Sequence, residues 1–363
     1  MFGGAVSRGA QKSSLKQARN SVDARTRSMN PVTDQLGRPL ADLRVSVTDR
    51  CNFRCRYCMP REHFDQEHRF LPRADLLSFE EIARVVSALR PLGLRKVRLT
   101  GGEPLLRNDL PALVALLRRE PGLDLALTTN GSLLAKQARA LRDAGLDRLT
   151  VSLDSVSPEV FARMTDSDFP VSEVLAGVDA AHAAGFGPIK INAVVRRGVN
   201  DHTLVELARH FRGSGDIVRF IEYMDVGLTN GWRLDDVVSG REIVTRIGAE
   251  LPLEPVGPNY RGEVAKRYRY LDGQGEIGVI TSVTQPFCGD CARLRLSADG
   301  QIYGCLFARV GTDLRAILRS SADAEPLDAA LRGFWRARGD RYSELRSSAT
   351  RSLPRLEMSY LGG

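Results

Sequence analysis

From residue 43 onward, short runs of alternating apolar and polar residues are followed by longer segments with helical periodicity. Residues 43–47 read Leu-Arg-Val-Ser-Val, and this strict alternation predicts a strand. The next segment opens with Ser78, whose spacing to Glu81 is that of a capping box, so a helix is expected to start there. Residues 96–100 then predict a second strand.

The same alternation continues to about residue 222. Asp109 is expected to cap a helix that carries Pro111 in its first turn and continues through Leu117. Further helices are expected to end near Gly145, Gly185 and Gly213, because glycine is typical just after a helix. The remaining strands are predicted at residues 125–128, 149–153, 189–195 and 217–221. The pattern therefore predicts six strand–helix repeats.

Repeats with such short connections predict a parallel sheet with right-handed crossovers. Six units cannot close a standard eight-stranded barrel, so we expect an α/β fold, an incomplete (βα)6 TIM-like barrel with a C-terminal region covering its open side. Reacting groups should follow the carboxyl ends of the strands. After residue 222 the alternation fails, and a hairpin through Asp299-Gly300 is expected between Leu294 and Cys305.

The charge distribution divides the chain into three parts. The net charge is +8, and residues 1–30 hold six basic residues and one acid. We predict a basic, disordered N-terminal extension at 1–36, the barrel at 37–222 and a C-terminal region at 223–363. The body is close to neutral, which argues against general nucleic-acid binding. The chain has neither an apolar run long enough for a membrane span nor an apolar signal segment, and this favours a cytoplasmic protein without a membrane partner.

The six cysteines form two triplets with none between them. Cys51, Cys55 and Cys58 follow the first predicted strand, and the other three lie near the predicted hairpin. Six cysteines are too few for a disulfide scaffold in a chain of 363 residues. Thiolates are soft ligands that suit zinc or iron–sulfur clusters, and a purely structural site normally has four protein ligands. Three cysteines leave one position open for a reactant, although a zinc site completed by a distant ligand such as His63 is an alternative.

At this loop the sequence resembles the radical S-adenosylmethionine (SAM) superfamily, whose hallmark is a C-x3-C-x2-C motif after the first barrel strand. The resemblance continues in Thr100-Gly101-Gly102-Glu103-Pro104, which is similar to the segment that binds the amino group of SAM in that superfamily. The two glycines permit a close backbone approach, and Glu103 is expected to offer its carboxylate to the ammonium.

The second triplet, Cys288, Cys291 and Cys305, also lacks a fourth cysteine. A zinc site with a remote ligand is one interpretation, and His210 is the nearest histidine. The alternative is a second cluster whose open iron holds substrate. Residues 37–363 resemble the radical SAM family that cyclises GTP in molybdenum-cofactor biosynthesis. The resemblance rests on the second triplet, the residues around the first triplet, the Asp225-Val226-Gly227 segment and the terminal glycines.

The resemblance implies a lyase with two [4Fe–4S] clusters and SAM as cosubstrate. A 5′-deoxyadenosyl radical would remove the C3′ hydrogen of GTP, and C3′ would then bond to C8. The product would be (8S)-3′,8-cyclo-7,8-dihydroguanosine 5′-triphosphate, passed on to cyclic pyranopterin monophosphate synthase. The implied partners are GTP, SAM and an electron donor, and the chain would be a monomer or a homodimer.

The resemblance also assigns site residues one by one. The cysteines of each triplet would hold one cluster, and Gly362 and Gly363 would contribute to catalysis. The implied SAM contacts are Tyr57, Gly102, Ser152 and Met224. The implied GTP contacts are Arg44, Arg98, Thr128, Lys190, Arg293 and Arg295, and Arg219 matches the pattern without a defined role. Arg44, Arg98 and Arg219 also interrupt apolar strands, where an unpaired cation would be costly, and this favours a cavity-facing position.

Two other functions are compatible with parts of this pattern. A peptide-maturing or sulfatase-maturing radical SAM enzyme would explain the first triplet and the barrel, although such enzymes generally carry more C-terminal cysteines. A zinc-stabilised nucleic-acid-binding protein would explain the basic tail but not the six repeats.

Overall fold

The computed structural model describes residues 31–260, 262–320, 322–347 and 355–362. Most of the predicted N-terminal extension, together with Gly363, therefore lies outside the described residues. Residues 31–36, which the sequence assigned to the extension, are described, and Val32 and Asp34 among them are buried. The folded body thus already includes residues 31–36.

Six parallel strands with intervening helices form the centre of the molecule, as the hydrophobic pattern predicts. The strands are β1 (Asp42–Ser46), β2 (Lys96–Thr100), β3 (Asp124–Thr129), β4 (Arg148–Ser152), β5 (Lys190–Val195) and β6 (Ile217–Glu222). The helices are α1 (Phe79–Leu89), α2 (Leu110–Leu117), α3 (Leu134–Asp143), α4 (Pro158–Thr165), α5 (Val171–Ala183) and α6 (Leu204–Phe211). Short 3-10 helices occur at Arg73–Asp75, Arg90–Leu92, Pro104–Leu106, Leu234–Asp236 and Cys288–Asp290.

The C-terminal region extends both edges of this sheet. Its strands are β7 (Leu253–Val256), β8 (Lys266–Tyr270), β9 (Glu276–Ile280), β10 (Arg293–Leu296), β11 (Gln301–Tyr303) and β12 (Thr312–Asp313). Its helices are α7 (Gly240–Glu250), α8 (Arg315–Ser320), α9 (Glu325–Ala337) and α10 (Met358–Leu361). Strand β9 pairs in parallel with β6, and β10 pairs in parallel with β1. The single sheet has the order β12-β11-β10-β1-β2-β3-β4-β5-β6-β9-β8-β7 and does not close, so the incomplete barrel is confirmed.

The local signals for the helices are mostly correct. Ser78 accepts a hydrogen bond from the Glu81 N–H, and the Glu81 side chain accepts one from the Ser78 N–H, which completes the capping box. Asp109 is the N-cap residue of α2, as predicted, and Pro111 lies in the first turn. The Asp109 backbone is left-handed (φ 57°), however, and its side chain makes no capping hydrogen bond. The predicted hairpin is confirmed as β10 and β11.

The central strands present two different faces. Residues such as Leu43, Val45, Val97 and Leu99 are buried in one hydrophobic core. Side chains at alternate positions belong to the opposite face of the sheet, because successive residues of a strand point to opposite sides. That face is polar, and the incomplete barrel curls around it. Among the described residues, no helix is both long and apolar enough to cross a membrane.

Candidate active site

A row of three arginines crosses the polar face of the sheet. Arg44 on β1 lies opposite Arg98 on β2 and opposite Arg295 on β10. Arg98 donates to the hydroxyl oxygens of Thr128 and Thr150, each at 3.0 Å. The Nε atom of Arg44 is buried and has no partner among the described residues. Of the predicted GTP contacts, Arg44, Arg98, Thr128 and Arg295 are thus neighbours on this face of the sheet.

Among the described residues, none of these three arginines forms an ion pair with a carboxylate, and Asp42, which acts on all three, is itself paired with Lys96 at 2.5 Å. Burial, and then repulsion by Arg295 and Arg293, lowers the pKa of Arg44 well below its usual value. Burial likewise lowers the pKa of Arg98 and of Arg295. Burying three neighbouring cations is costly, and an anion bound at this face of the sheet would offset that cost.

Two further predicted contacts extend the positive region. Burial, followed by repulsion from Arg219, lowers the pKa of Lys190 to about 8. Arg219 itself donates to the side-chain oxygen of Asn192 at 2.9 Å, which fixes its direction along the sheet. Arg293 lies over the ring of Phe287, with 5.2 Å between the guanidinium carbon and the ring centroid. Its pKa is raised even though burial would lower it, because the Cys291 thiolate is adjacent.

The first cysteine triplet lies on the loop that follows β1. A tight turn, in which the Cys58 N–H donates to the Cys55 carbonyl at 2.9 Å, brings two of the cysteines together. The Phe53 N–H donates to Cys51 Sγ at 3.4 Å, and the Asn130 amide approaches the same sulfur at 3.9 Å. Burial raises the pKa of Cys51 to about 11, and burial together with Asp154 and the neighbouring cysteines raises that of Cys55.

These thiols therefore resist ionisation unless a cation binds to them. Three soft donors that repel one another as thiolates are the donor set that an iron–sulfur cluster neutralises, so the residues fit such a group. Among the described residues, no group of three or more His, Cys, Asp or Glu side chains has the geometry of a single-ion site. His63 and His210, considered above as zinc ligands, are both exposed, and His210 lies on α6.

The two glycines after β2 allow that loop to pack directly on the cysteine loop. A Cβ atom on Gly102 would lie 2.3 Å from the Arg50 carbonyl oxygen, and one on Gly101 would lie 2.5 Å from the Thr48 carbonyl oxygen. The Gly102 N–H donates to the Thr48 carbonyl oxygen at 2.8 Å, and the Glu103 N–H donates to the Arg50 carbonyl oxygen at 2.7 Å. Backbone contact at these positions excludes any side chain.

The structure corrects the role expected for Glu103. Its carboxylate is completely buried and accepts bonds from the Leu105 N–H, the Thr129 hydroxyl and the Asn130 N–H, at 2.7 to 2.9 Å. Burial raises its pKa to about 7, although these bonds act in the opposite direction. Glu103 therefore ties the ends of β2 and β3 together, and its side chain is engaged by the protein rather than open to an ammonium.

The residues predicted to contact SAM all lie at or after the carboxyl ends of strands. Ser152 ends β4, Met224 follows β6, and Tyr57 and Gly102 follow β1 and β2. The Tyr57 hydroxyl donates to the buried carboxylate of Asp154 at 2.9 Å. Asp154, which sequence reasoning missed, also accepts from the Val194 N–H at 2.8 Å and so joins the cysteine loop to β5.

The second triplet lies near the amino end of β10. The Cys291 N–H donates to the Cys288 carbonyl at 3.2 Å, which repeats the turn of the first triplet, and the Phe307 N–H donates to Cys305 Sγ at 3.5 Å. Burial would raise the pKa of Cys291, but Arg293 and Arg338 outweigh it and lower the pKa to about 6. Burial raises that of Cys305 to about 11. This soft donor set also fits an iron–sulfur cluster, here in a cationic environment.

The described part of the C-terminal tail packs against the arginine row. Arg295 donates to the Gly362 carbonyl oxygen at 2.5 Å, and Leu361 is fully buried. Gly362 has φ +69°, and a Cβ atom there would lie 2.0 Å from Thr100 Oγ1. The tail therefore reaches the same arginine row, and only glycine suits its penultimate position. Gly363 lies outside the described residues.

Two acidic residues hold this tail in place. Asp225, noted in the sequence only as part of a motif, accepts from Tyr342 at 2.7 Å and from Arg346 and Arg355 at 3.0 Å. Burial would raise its pKa, but Arg346 lowers it. Glu357 accepts from the Leu228 N–H and the Thr229 hydroxyl, each at 2.9 Å. Sequence reasoning missed Glu357, and only its nearness to the terminal glycines could have indicated it.

Two family models match successive parts of the chain. Residues 45–211 match the radical SAM superfamily, and residues 216–344 match the family described as Molybdenum Cofactor Synthesis C. The chain is 57% identical over 359 residues to the GTP 3′,8-cyclase of Acidothermus cellulolyticus, which covers 92% of this chain and 99% of that protein. It is 51% identical over 335 residues to the enzyme of the same name from Xanthomonas axonopodis pv. citri, with coverages of 92% and 99%.

Solved structures share the fold at low identity. Streptococcus suis SuiB bound to S-adenosylmethionine has a TM-score of 0.58 at 15% identity and covers 95% of this chain and 78% of its own. Native anSMEcpe with bound AdoMet has a TM-score of 0.54 at 14% identity, with coverages of 79% and 82%. At these identities the similarity concerns the fold alone.

The half-open parallel barrel and a cysteine triplet after its first strand define a radical SAM protein. Within that class, the second triplet and the C-terminal match indicate a protein of molybdenum cofactor synthesis. The chain belongs to the GTP 3′,8-cyclase family.

Proposed function

We propose that the protein converts GTP to (8S)-3′,8-cyclo-7,8-dihydroguanosine 5′-triphosphate, the first step of molybdopterin biosynthesis, with SAM as cosubstrate. A 5′-deoxyadenosyl radical takes the C3′ hydrogen of GTP, C3′ bonds to C8 as the C8–N7 double bond opens, and one electron from the electron donor with one proton completes the 7,8-dihydro product. One observation supports this most strongly: a chain with two cysteine triplets places Arg295, Arg44 and Arg98 side by side on three adjacent strands, and Arg44 Nε is buried without a hydrogen-bond partner among the described residues.

Each triplet would hold one [4Fe–4S] cluster. Cys51, Cys55 and Cys58 hold the first, and Cys288, Cys291 and Cys305 hold the second. When bound, the clusters supply the electron that cleaves SAM and an open iron for a reactant.

The arginine row neutralises the triphosphate. A nucleoside triphosphate carries about four negative charges, and arginine matches phosphate oxygens with a rigid pair of donors. Arg44 is the central ligand, because its Nε atom is buried and unpartnered among the described residues. The other proposed GTP contacts surround it: Arg98, Thr128, Lys190, Arg293 and Arg295.

The loops beyond the strands hold SAM. Tyr57, Gly102, Ser152 and Met224 are the proposed contacts, and all four lie at the strand ends next to the first triplet. Tyr57 is already oriented by its hydrogen bond to Asp154, so its ring needs little reordering when SAM binds.

The tail closes the cavity against water. Gly362 and Gly363 are the proposed catalytic residues, and Leu361 is the apolar anchor that precedes them. A carbon radical attacks almost any nearby C–H bond, so substrate and tail must be held in fixed positions, and glycine lets the tail backbone pack closely at this point. Exclusion of water and fixed orientation are the contributions that the protein itself makes.

GTP carrying deuterium at C3′ tests this function directly. After anaerobic reconstitution, about eight irons per chain are expected, as two clusters of four. Turnover should then place the deuterium in 5′-deoxyadenosine and yield the cyclic product. SAM cleavage without deuterium transfer, or with transfer only from an added peptide, would contradict the proposal and favour a maturing enzyme.

The cellular setting belongs to the same proposal. The enzyme acts in the cytoplasm as a monomer or homodimer, receives electrons from a separate donor and passes its product to cyclic pyranopterin monophosphate synthase. It needs neither nucleic acid nor a membrane.

A further inference from the structure

A buried ionic group lies directly behind the second cysteine triplet. The carboxylate of Asp34 accepts from Arg38 Nε at 2.6 Å and from an Arg338 amino group at 2.9 Å. The three side chains are between 0% and 2% exposed. Arg338 also lies over the ring of Trp335, at 4.6 Å from its centroid. We call Asp34, Arg38 and Arg338 the arginine clamp.

The clamp contacts the backbone beside every cysteine of the second triplet. Arg38 donates to the Cys288 carbonyl at 2.8 Å. Arg338 donates to the Cys291 carbonyl at 2.8 Å and to the Gly304 carbonyl, which precedes Cys305, at 3.0 Å. One carboxylate thus fixes two guanidinium groups that bind all three cysteine-bearing segments.

The clamp carries an excess of positive charge, which suits an anionic group at the second triplet. Two guanidinium groups face one buried carboxylate, and the nearby Asp340 is 40% exposed and 3.5 Å from Arg338. The second amino group of Arg38 is buried without a hydrogen-bond partner among the described residues. Three thiolates on an oxidised [4Fe–4S] core carry about one negative charge in total, which matches the excess positive charge of the clamp.

We propose that the arginine clamp is a positioning unit that holds the second triplet ready for its cluster. It rests on the proposed function in that the second triplet binds a [4Fe–4S] cluster. By fixing the three carbonyls, the clamp removes much of the backbone freedom that ligand binding would otherwise have to restrict. At the first triplet a different arginine, Arg54, donates to the Cys51 carbonyl at 2.8 Å. Among the described residues the clamp makes no hydrogen bond to that loop, so the two sites should respond differently to a substitution in the clamp.

The experiment measures iron in two backgrounds, each with one triplet removed. In a C51A/C55A/C58A chain, only the second site can be filled, and about four irons are expected. Adding R338M or D34N there should lower the iron and speed its loss to a chelator by about 10- to 100-fold. In a C288A/C291A/C305A chain, the same substitutions should leave about four irons, which also shows that the variants fold.

Two further variants sharpen the comparison. R338K keeps the charge but cannot reach Asp34, Cys291 and Gly304 together, so its iron retention should be intermediate. R118M is the matched control, because Arg118 donates to the carbonyls of Gly145 and Leu123, both at 2.9 Å, and to the carboxylate of Asp147 just before β4, and it contacts neither triplet among the described residues. It should change neither site.

The outcomes separate this proposal from the function on which it rests. Equal iron and equal chelator resistance in R338M and its parent would overturn the clamp while leaving the two-cluster enzyme intact. Equal iron loss in both backgrounds would also overturn it, because the effect would then be general unfolding. A wild-type chain with only about four irons would overturn the two-cluster assignment itself, and the clamp with it.

Discussion

Lys190 gives a pH test of the proposed substrate site. Its pKa is lowered to about 8, because burial disfavours the ammonium and Arg219 repels it. A lysine with a lowered pKa is charged below that value and neutral above it. Its attraction for a polyanion is therefore present below about pH 8 and is lost as the pH rises further.

The size of the effect follows from this pKa. If only the charged form binds the triphosphate, the KM for GTP rises about tenfold between pH 7 and pH 9, or about 1.4 kcal/mol of binding energy. Steady-state product formation at saturating SAM measures it, with iron content determined at each pH.

The control is K190R, since an arginine in the same place starts from a much higher pKa and remains charged over this range. Its KM should change less than about twofold, apart from any titration of GTP itself, which is common to both proteins. K190M should bind GTP weakly at every pH. A wild-type profile that coincides with that of K190R would refute the assignment of Lys190 to the triphosphate.

Three further predictions concern the tail and the fold. G362A forces a left-handed alanine, which costs about 1 to 2 kcal/mol, and product formation should fall at least about fivefold with iron unchanged; unaltered turnover would contradict a role for the tail. E357A removes both bonds to the loop at residues 228–229 and should lower kcat about tenfold while leaving the KM for SAM unchanged, which initial-rate kinetics would show. S78A removes the cap of α1 and should lower the free energy of unfolding by about 1 kcal/mol in denaturant titration of the apoprotein, without affecting kcat/KM.

The central barrel was predictable because its signals are local. Alternation within β1, the capping box at Ser78 and glycine after α3 each depend on a few neighbouring residues. The arginine row was also predictable, because Arg44 and Arg98 interrupt apolar strands, and an unpaired cation packed in a hydrophobic core would be costly. The position of Asp109 as the N-cap of α2 was predicted correctly, but its missing side-chain hydrogen bond was not, since the residue type alone does not determine its backbone conformation.

The long-range pairings were beyond the sequence. Strand β10 joins β1 across about 250 residues of chain, and nothing in its four residues specifies that neighbour. The arginine clamp was missed for the same reason, because Asp34 and Arg338 form an ion pair although they lie about 300 residues apart in the sequence. Glu103 was misjudged because its chemistry fits an ammonium, whereas burial and three protein donors determine its actual role.

The parallel pairing of β1 with β10 sets the distance between the two cysteine triplets. Cys51 follows the carboxyl end of β1, whereas Cys291 precedes the amino end of β10, so the two triplets occupy opposite mouths of the curled sheet. Five residues of β1 at about 3.3 Å each span roughly 16 Å, comparable to the length of a nucleotide. Inserting or deleting residues within this pair of strands would change the distance between the two cysteine triplets, so strand length sets the separation of the proposed cluster sites.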